Sequence, residues 1–140
     1  LWEALHTHVV VADALATDAC DRLAASVGGF HAVVGNPPFL SRLSRATAPD
    51  AGRAAQLRTR TGGLLRRYAD EAGGFLLLAA TRWVRPGGVV ALVLPRSLLA
   101  TGDAVGARRA VAVAASPAHA WWGEGGEVGD ADVPACALVL

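Results

Sequence analysis

With 140 residues, 53% of them hydrophobic, and a mean hydropathy of +0.37, the chain has apolar material for one domain with a genuine core. Formal net charge is only +1, and no segment reaches the roughly 20 consecutive apolar residues of a membrane span, so no transmembrane helix is expected. The opening residues, LWEALHTHVV, have no basic start followed by an apolar stretch and a cleavage site, so the expected location is the cytoplasm.

In chain order, residues 6 to 13 (HTHVVVAD) are a β-branched run ending in an acid, the pattern of a strand whose last residue points into a site. Thr17 to Ala25 (TDACDRLAA) predicts a short helix with Thr17 as N-cap and Gly28 and Gly29 closing it. Residues 31 to 35 (HAVVG) predict a second strand. It stops at Asn36-Pro37-Pro38-Phe39, because proline has no N–H for a sheet ladder and forces its predecessor into extended geometry.

Residues 41 to 62 show no sustained apolar period and are expected to form a long, flexible, arginine-rich surface loop. Leu65, Tyr68, Ala69, Ala72, Phe75, Leu76, Ala79 and Trp83 then recur every three or four residues, one helical stripe that contains Gly73 and Gly74 and ends at Arg85-Pro86-Gly87-Gly88. Val89 to Leu94 is a continuous apolar run, as expected of a central parallel strand covered on both faces. Residues 97 to 115 predict a helical connection with a break near Gly102. Trp121-Trp122 and Pro134 to Leu140 supply one or two further strands. GEGGEVGD, residues 123 to 130, lacks phosphate-loop spacing and carries Glu124, Glu127 and Asp130, which repel phosphate, so it predicts a turn between strands. Alternating strands and helices predict a single α/β domain, its sheet mostly parallel and flanked by helices, with ligands at the carboxyl ends of the strands.

Cys20 and Cys136 are far apart and form no zinc spacing, and His6, His8, His31 and His119 are scattered, so free thiols and no metal site are expected. Charge is uneven. Arg42, Arg45, Arg53, Arg58, Arg60, Arg66 and Arg67 face the single acid Asp50 in their stretch, and every basic residue in the chain is arginine, the side chain best suited to grip phosphate.

At the end of strand 31 to 35, Asn36 would offer a side-chain carbonyl to the ligand crevice. Pro37 and Pro38 add backbone carbonyls without competing donors, and Phe39 adds a flat apolar face. That set suits a planar group carrying an NH₂. Two acceptors on the amine hydrogens favour a more tetrahedral nitrogen and raise electron density where attack begins.

VVGNPPF at 33 to 39 resembles the (D/N)PP(Y/F/W) signature of the adenine-specific, amino-group DNA methyltransferases of restriction-modification systems. VVVADAL at 9 to 15, FLLLAATRWVRPGGVVALVLPRSLL at 75 to 99 and ADVPACALVL at the end are similar to further stretches of that family. The resemblance implies a partial Rossmann-like fold with S-adenosylmethionine as cofactor. It implies that Asn36 and the Pro37 carbonyl, with Pro38 beside them, hold the N6 amine of an adenine flipped out of double-stranded DNA while Phe39 stacks on it. Asp13, Ala14 and Phe75 would contact the cofactor, and Arg42, Arg45, Arg53, Arg58 and Arg60 would touch phosphates.

The family's first cofactor strand, its FxGxG-type loop and the acid that follows should precede residue 9, and LWEALHTH contains neither. The expectation is therefore a catalytic-region fragment lacking its amino-terminal cofactor half, with a target-recognition domain or specificity subunit outside the chain. Relatives sharing the signature methylate RNA guanine or protein glutamine, which leaves those activities, and a non-catalytic nucleic-acid-binding remnant, as alternatives.

Overall fold

The computed structural model describes residues 9–39, 51–65, 71–123 and 134–140. The elements run α1 (Ala19–Ser26), β1 (Phe30–Gly35), α2 (Ala51–Arg60), α3 (Glu71–Leu78) continued by a π-helical turn (Ala79–Trp83), then β2 (Val84–Pro95). They continue as α4 (Ser97–Ala100), a 3-10 turn (Gly102–Ala104), α5 (Val105–Ala114), β3 (His119–Trp122) and β4 (Ala135–Val139).

The four strands form one mixed sheet in the order β1-β2-β4-β3. β1 and β2 are parallel, with Val33 opposite Val90 and Gly35 opposite Leu92. β4 runs antiparallel to both β2 and β3. This corrects the expectation of a mostly parallel sheet, and the connections explain it. Helices carry the chain from β1 to β2 and from β2 to β3, whereas β3 and β4 are sequential neighbours with no described helix between them, the arrangement of a hairpin.

Alternation along β2 defines the layers. Val90, Leu92 and Leu94 are 1%, 4% and 0% exposed, whereas Val89 between them and the start of the strand is 43% exposed. The buried row meets α3, the π-helical turn and α4, and Leu78, Leu94, Val90, Leu15 and Cys136 make the deepest part of the core. Each such leucine or valine contributes about 1.5–3 kcal/mol by leaving water. The opposite face is not covered as expected. It carries Val34, 76% exposed and paired in register with Ala91, and Trp121, 50% exposed and paired with Ala137. Val90 and its neighbours are apolar on both sides in sequence, but the described helices pack on one face only.

Three local expectations change. Residues 9 to 13 form no strand, and residues 6 to 8 lie outside those described. Val9, Val10 and Val11 are 64%, 58% and 99% exposed, because a β-branched run without a neighbouring strand has no ladder to join. Residues 51 to 60, expected in a loop, form α2, whose buried stripe is Ala54 and Leu57 followed by Thr61. Residues 41 to 50, including Asp50, lie outside the described residues, as do 66 to 70 and the acidic turn at 124 to 130. The helix expected from residue 65 is described from Glu71, and Leu65 precedes it as a buried non-helical residue.

The helix at Thr17 to Ala25 is present as α1, with Asp18 rather than Thr17 in the N-cap place. Gly29, at φ +89°, closes it through an N–H bond of 2.7 Å to the Ala24 carbonyl. Gly73 and Gly74 do not interrupt α3. A Cβ on Gly74 would stand 2.6 Å from Leu57 Cδ1, and one on Gly73 would stand 2.9 Å from Leu98 Cδ1, so the glycine pair is the seat on which α2 and α4 pack. The helical connection after Pro95 breaks around Gly102 as expected.

Candidate active site

At the carboxyl end of β1 the chain leaves the sheet as Asn36-Pro37-Pro38 and opens a cavity of about 330 Å³. Its walls are Ala14 from the turn before α1, Val33 of β1, Phe75 of α3, Trp83 of the π-helical turn and Leu92 of β2, with Asn36, Pro37 and Pro38 at one side. Three sequence-predicted groups thus come together: Asn36-Pro37-Pro38, Ala14 and Phe75. Asn36 is exposed and its side chain makes no hydrogen bond with any described residue. Pro37 is buried and Pro38 exposed. An unbonded amide at the mouth of an apolar cavity is the arrangement in which one polar group orients a ligand held otherwise by surface.

The cavity owes its shape to a departure from regular helix. α3 ends in a π-helical turn, a rare feature that recurs at functional sites, and that turn carries Trp83 into the wall. The Trp83 ring meets Phe75 edge to face, centroids 6.1 Å apart at 77°. Its indole N–H donates to Asp21 Oδ1 at 2.7 Å, which ties the wall to α1. Burial raises the Asp21 pKa, but the Trp83 bond and the nearby Arg60 charge outweigh it, and the carboxyl lies below its ordinary value.

Phe39, expected to stack on the base, packs against the edge of the core and stands outside the cavity wall. Asp13 is likewise not a wall residue. Its Oδ1 accepts from the Leu15 and Ala16 N–H groups, each at 3.0 Å, closing the turn that presents Ala14. Its Oδ2 pairs with Arg53. Burial would raise the Asp13 pKa, yet the hydrogen bonds from Ala16, Arg53 and Leu15 together hold it below the ordinary carboxylate value.

The arginines divide. Arg42 and Arg45 lie outside the described residues. Arg58 is exposed beside a shallow cleft with Thr59 and Gly63, so it remains open to a phosphate. Arg53 and Arg60 are both engaged with groups of the molecule itself. Arg53 Nε and Nη2 donate to the two Glu71 oxygens at 2.6 and 2.9 Å, and the Glu71 bond is the main cause that raises the already high Arg53 pKa further. Arg60 Nη1 donates to the Ala14 and Leu15 carbonyls at 2.8 and 2.9 Å and to that of Thr17, and Nη2 lies 3.0 Å from Asp21 Oδ2. The two arginines, seven residues apart on one face of α2, grip the Asp13 to Thr17 turn from both ends. Pattern reasoning missed Trp83 as a wall residue, and it missed Glu71, 2% exposed, which holds Arg53 behind the wall; a charge inside an apolar helical stripe was the available signal for Glu71.

Cys20 lines the cavity as a free, half-buried thiol whose pKa is pushed up by burial, and Cys136 is free and buried in the core. Among the described residues no three His, Cys, Asp or Glu side chains come together as a metal site. The chain matches no model of a known protein family, and no curated protein aligns with it significantly.

Proposed function

We propose that this chain is the catalytic region of a cytoplasmic S-adenosylmethionine-dependent methyltransferase acting on the N6 amine of adenine in DNA. The observation that carries the reading is Asn36, unbonded at the carboxyl end of a parallel strand and beside an apolar cavity walled by Ala14 and Phe75. The four strands are then the carboxyl-side part of a Rossmann-like sheet. The outer edge of β1, unpaired among the described residues, and the exposed Val34 face support that view, since further strands and a second helical layer would cover both.

The Ala14 and Phe75 walls suit the planar adenine end of the cofactor by shape and apolarity. Asp13, held by Arg53, contributes the turn that presents Ala14. S-adenosylmethionine supplies an electrophilic methyl group when bound. On this side of the reaction Asn36 Oδ1 and the Pro37 carbonyl accept the two amine hydrogens of the target base and hold its nitrogen lone pair toward the cavity. The apolar walls keep water from the side of the nitrogen that faces the cavity. The Asn36 amide cannot itself remove the amine proton, so solvent at the open mouth takes it after transfer.

Internal use of Arg53 and Arg60 favours a second reading, in which the acceptor is the planar amide of a protein glutamine and phosphate contact matters less. Transfer of labelled methyl from S-adenosylmethionine to duplex DNA, RNA and glutamine-containing peptide, each with Asn36→Ala as control, tests both. DNA labelling that the substitution abolishes is expected. Labelling of peptide alone would select the second reading, and no Asn36-dependent labelling of any acceptor would refute the enzyme.

A further inference from the structure

We infer that Arg53 is a positioning residue which, with Glu71 and Asp13, sets the Ala14 and Phe75 walls of the cavity and thereby its affinity for an adenine ring. The inference rests on the proposed methyltransferase reading and extends it to residues that touch no ligand.

Glu71 is a carboxylate at 2% exposure in the first turn of α3. A charge so buried needs a partner, and Arg53 supplies two parallel N–H bonds, at 2.6 and 2.9 Å. The remaining arm of the same guanidinium, Nη1, pairs with Asp13 Oδ2. One planar group therefore joins three segments that are remote in sequence: the turn at residue 13, α2 and α3. The cavity walls hang directly from the two carboxylates. Ala14 follows Asp13 in the chain, and Phe75 stands one helical turn beyond Glu71, at the spacing that shares a face.

Stability alone does not account for such a triad, because well-packed apolar side chains usually do as well in a buried place. Geometry does. A rigid fork with donors in fixed directions can hold two carboxylates at a set separation, whereas a lysine ammonium is a point charge on a flexible stem. Wall placement matters because a shift of about 1 Å in a positioning group can cost up to 100-fold in function.

The test uses the 140-residue chain and adenosine as probe, with binding followed by tryptophan fluorescence, since Trp83 lies in the wall. Arg53→Lys is expected to weaken adenosine binding about tenfold while the thermal midpoint moves by no more than about 4 °C. Arg22→Ala, at an exposed ion pair with Asp18, should leave affinity at the wild-type value. In the unmodified chain, adenosine should slow hydrogen exchange at the Leu15 and Ala16 amides, whose acceptor is Asp13, because coupling between sites is reciprocal. That measurement decides the matter even where Arg53→Lys fails to fold. Wild-type affinity in Arg53→Lys, or unchanged exchange at Leu15 and Ala16 on saturation, overturns the positioning role and leaves the methyltransferase reading standing. Absence of any adenosine response in the unmodified chain overturns the cofactor reading itself, and this inference with it.

Discussion

Asp21 receives the Trp83 indole N–H at 2.7 Å and the Arg60 guanidinium at 3.0 Å, so one side chain joins α1, the cavity wall and α2. Trp83→Phe keeps the ring and removes the donor. We expect a loss of about 1–3 kcal/mol in urea unfolding, the usual cost when a bond to a charged group is deleted. Acid should act through the same carboxyl. The folded-state pKa values of Asp13 and Asp21 are depressed, so each contributes stability that is present above the unfolded value of about 3.9 and is lost as pH falls through the folded value. Thermal midpoints from pH 5 to 2.5 should therefore fall less steeply in Asp21→Asn than in the unmodified chain; parallel curves would remove Asp21 from the acid response.

Among elements, α3 depends on its glycine pair. Gly74→Ala gains helix propensity of up to about 1 kcal/mol but drives a methyl to within 2.6 Å of Leu57. Overpacking of that kind costs about 1–3 kcal/mol, so the net expected result is a lower urea midpoint at unchanged m-value, and a raised midpoint would show that α2 yields freely. Legibility followed the same physics. β1, β2 and β4 were readable because short apolar runs with abrupt stops have few other uses, and Asn36 to Pro38 stood out because two prolines end a strand. α2 was not readable, since its buried stripe is an alanine and a leucine among arginines. Nor were the partners of Arg53. Its carboxylates lie 40 residues before it and 18 after it, and charge counting cannot distinguish an arginine aimed at solvent from one aimed at Glu71.

For the whole molecule, the sheet is covered on one side and exposes Val34 and Trp121 on the other, with the outer edge of β1 unpaired among the described residues. Exposed apolar surface beside an open strand edge promotes association. Val34→Lys, at a side chain already 76% in water, should change stability by no more than about 0.5 kcal/mol and shift sedimentation toward the monomer at high concentration. Unchanged association would place the contact elsewhere. The mixed sheet nonetheless sets the candidate chemistry at one end: Asn36 leaves β1 where Leu92 of β2 closes the cavity floor, and α3 brings Phe75 over it.

The central claim is that Asn36 reads an exocyclic amine at the mouth of this cavity. The most direct measurement is an NMR titration of the Asn36 side-chain amide with 9-methyladenine and with 9-methylpurine, which lacks the amino group. A saturable shift of the Asn36 signals is expected with the adenine and not with the purine. Equal shifts with both compounds, or shifts confined to residues away from the cavity, would contradict it.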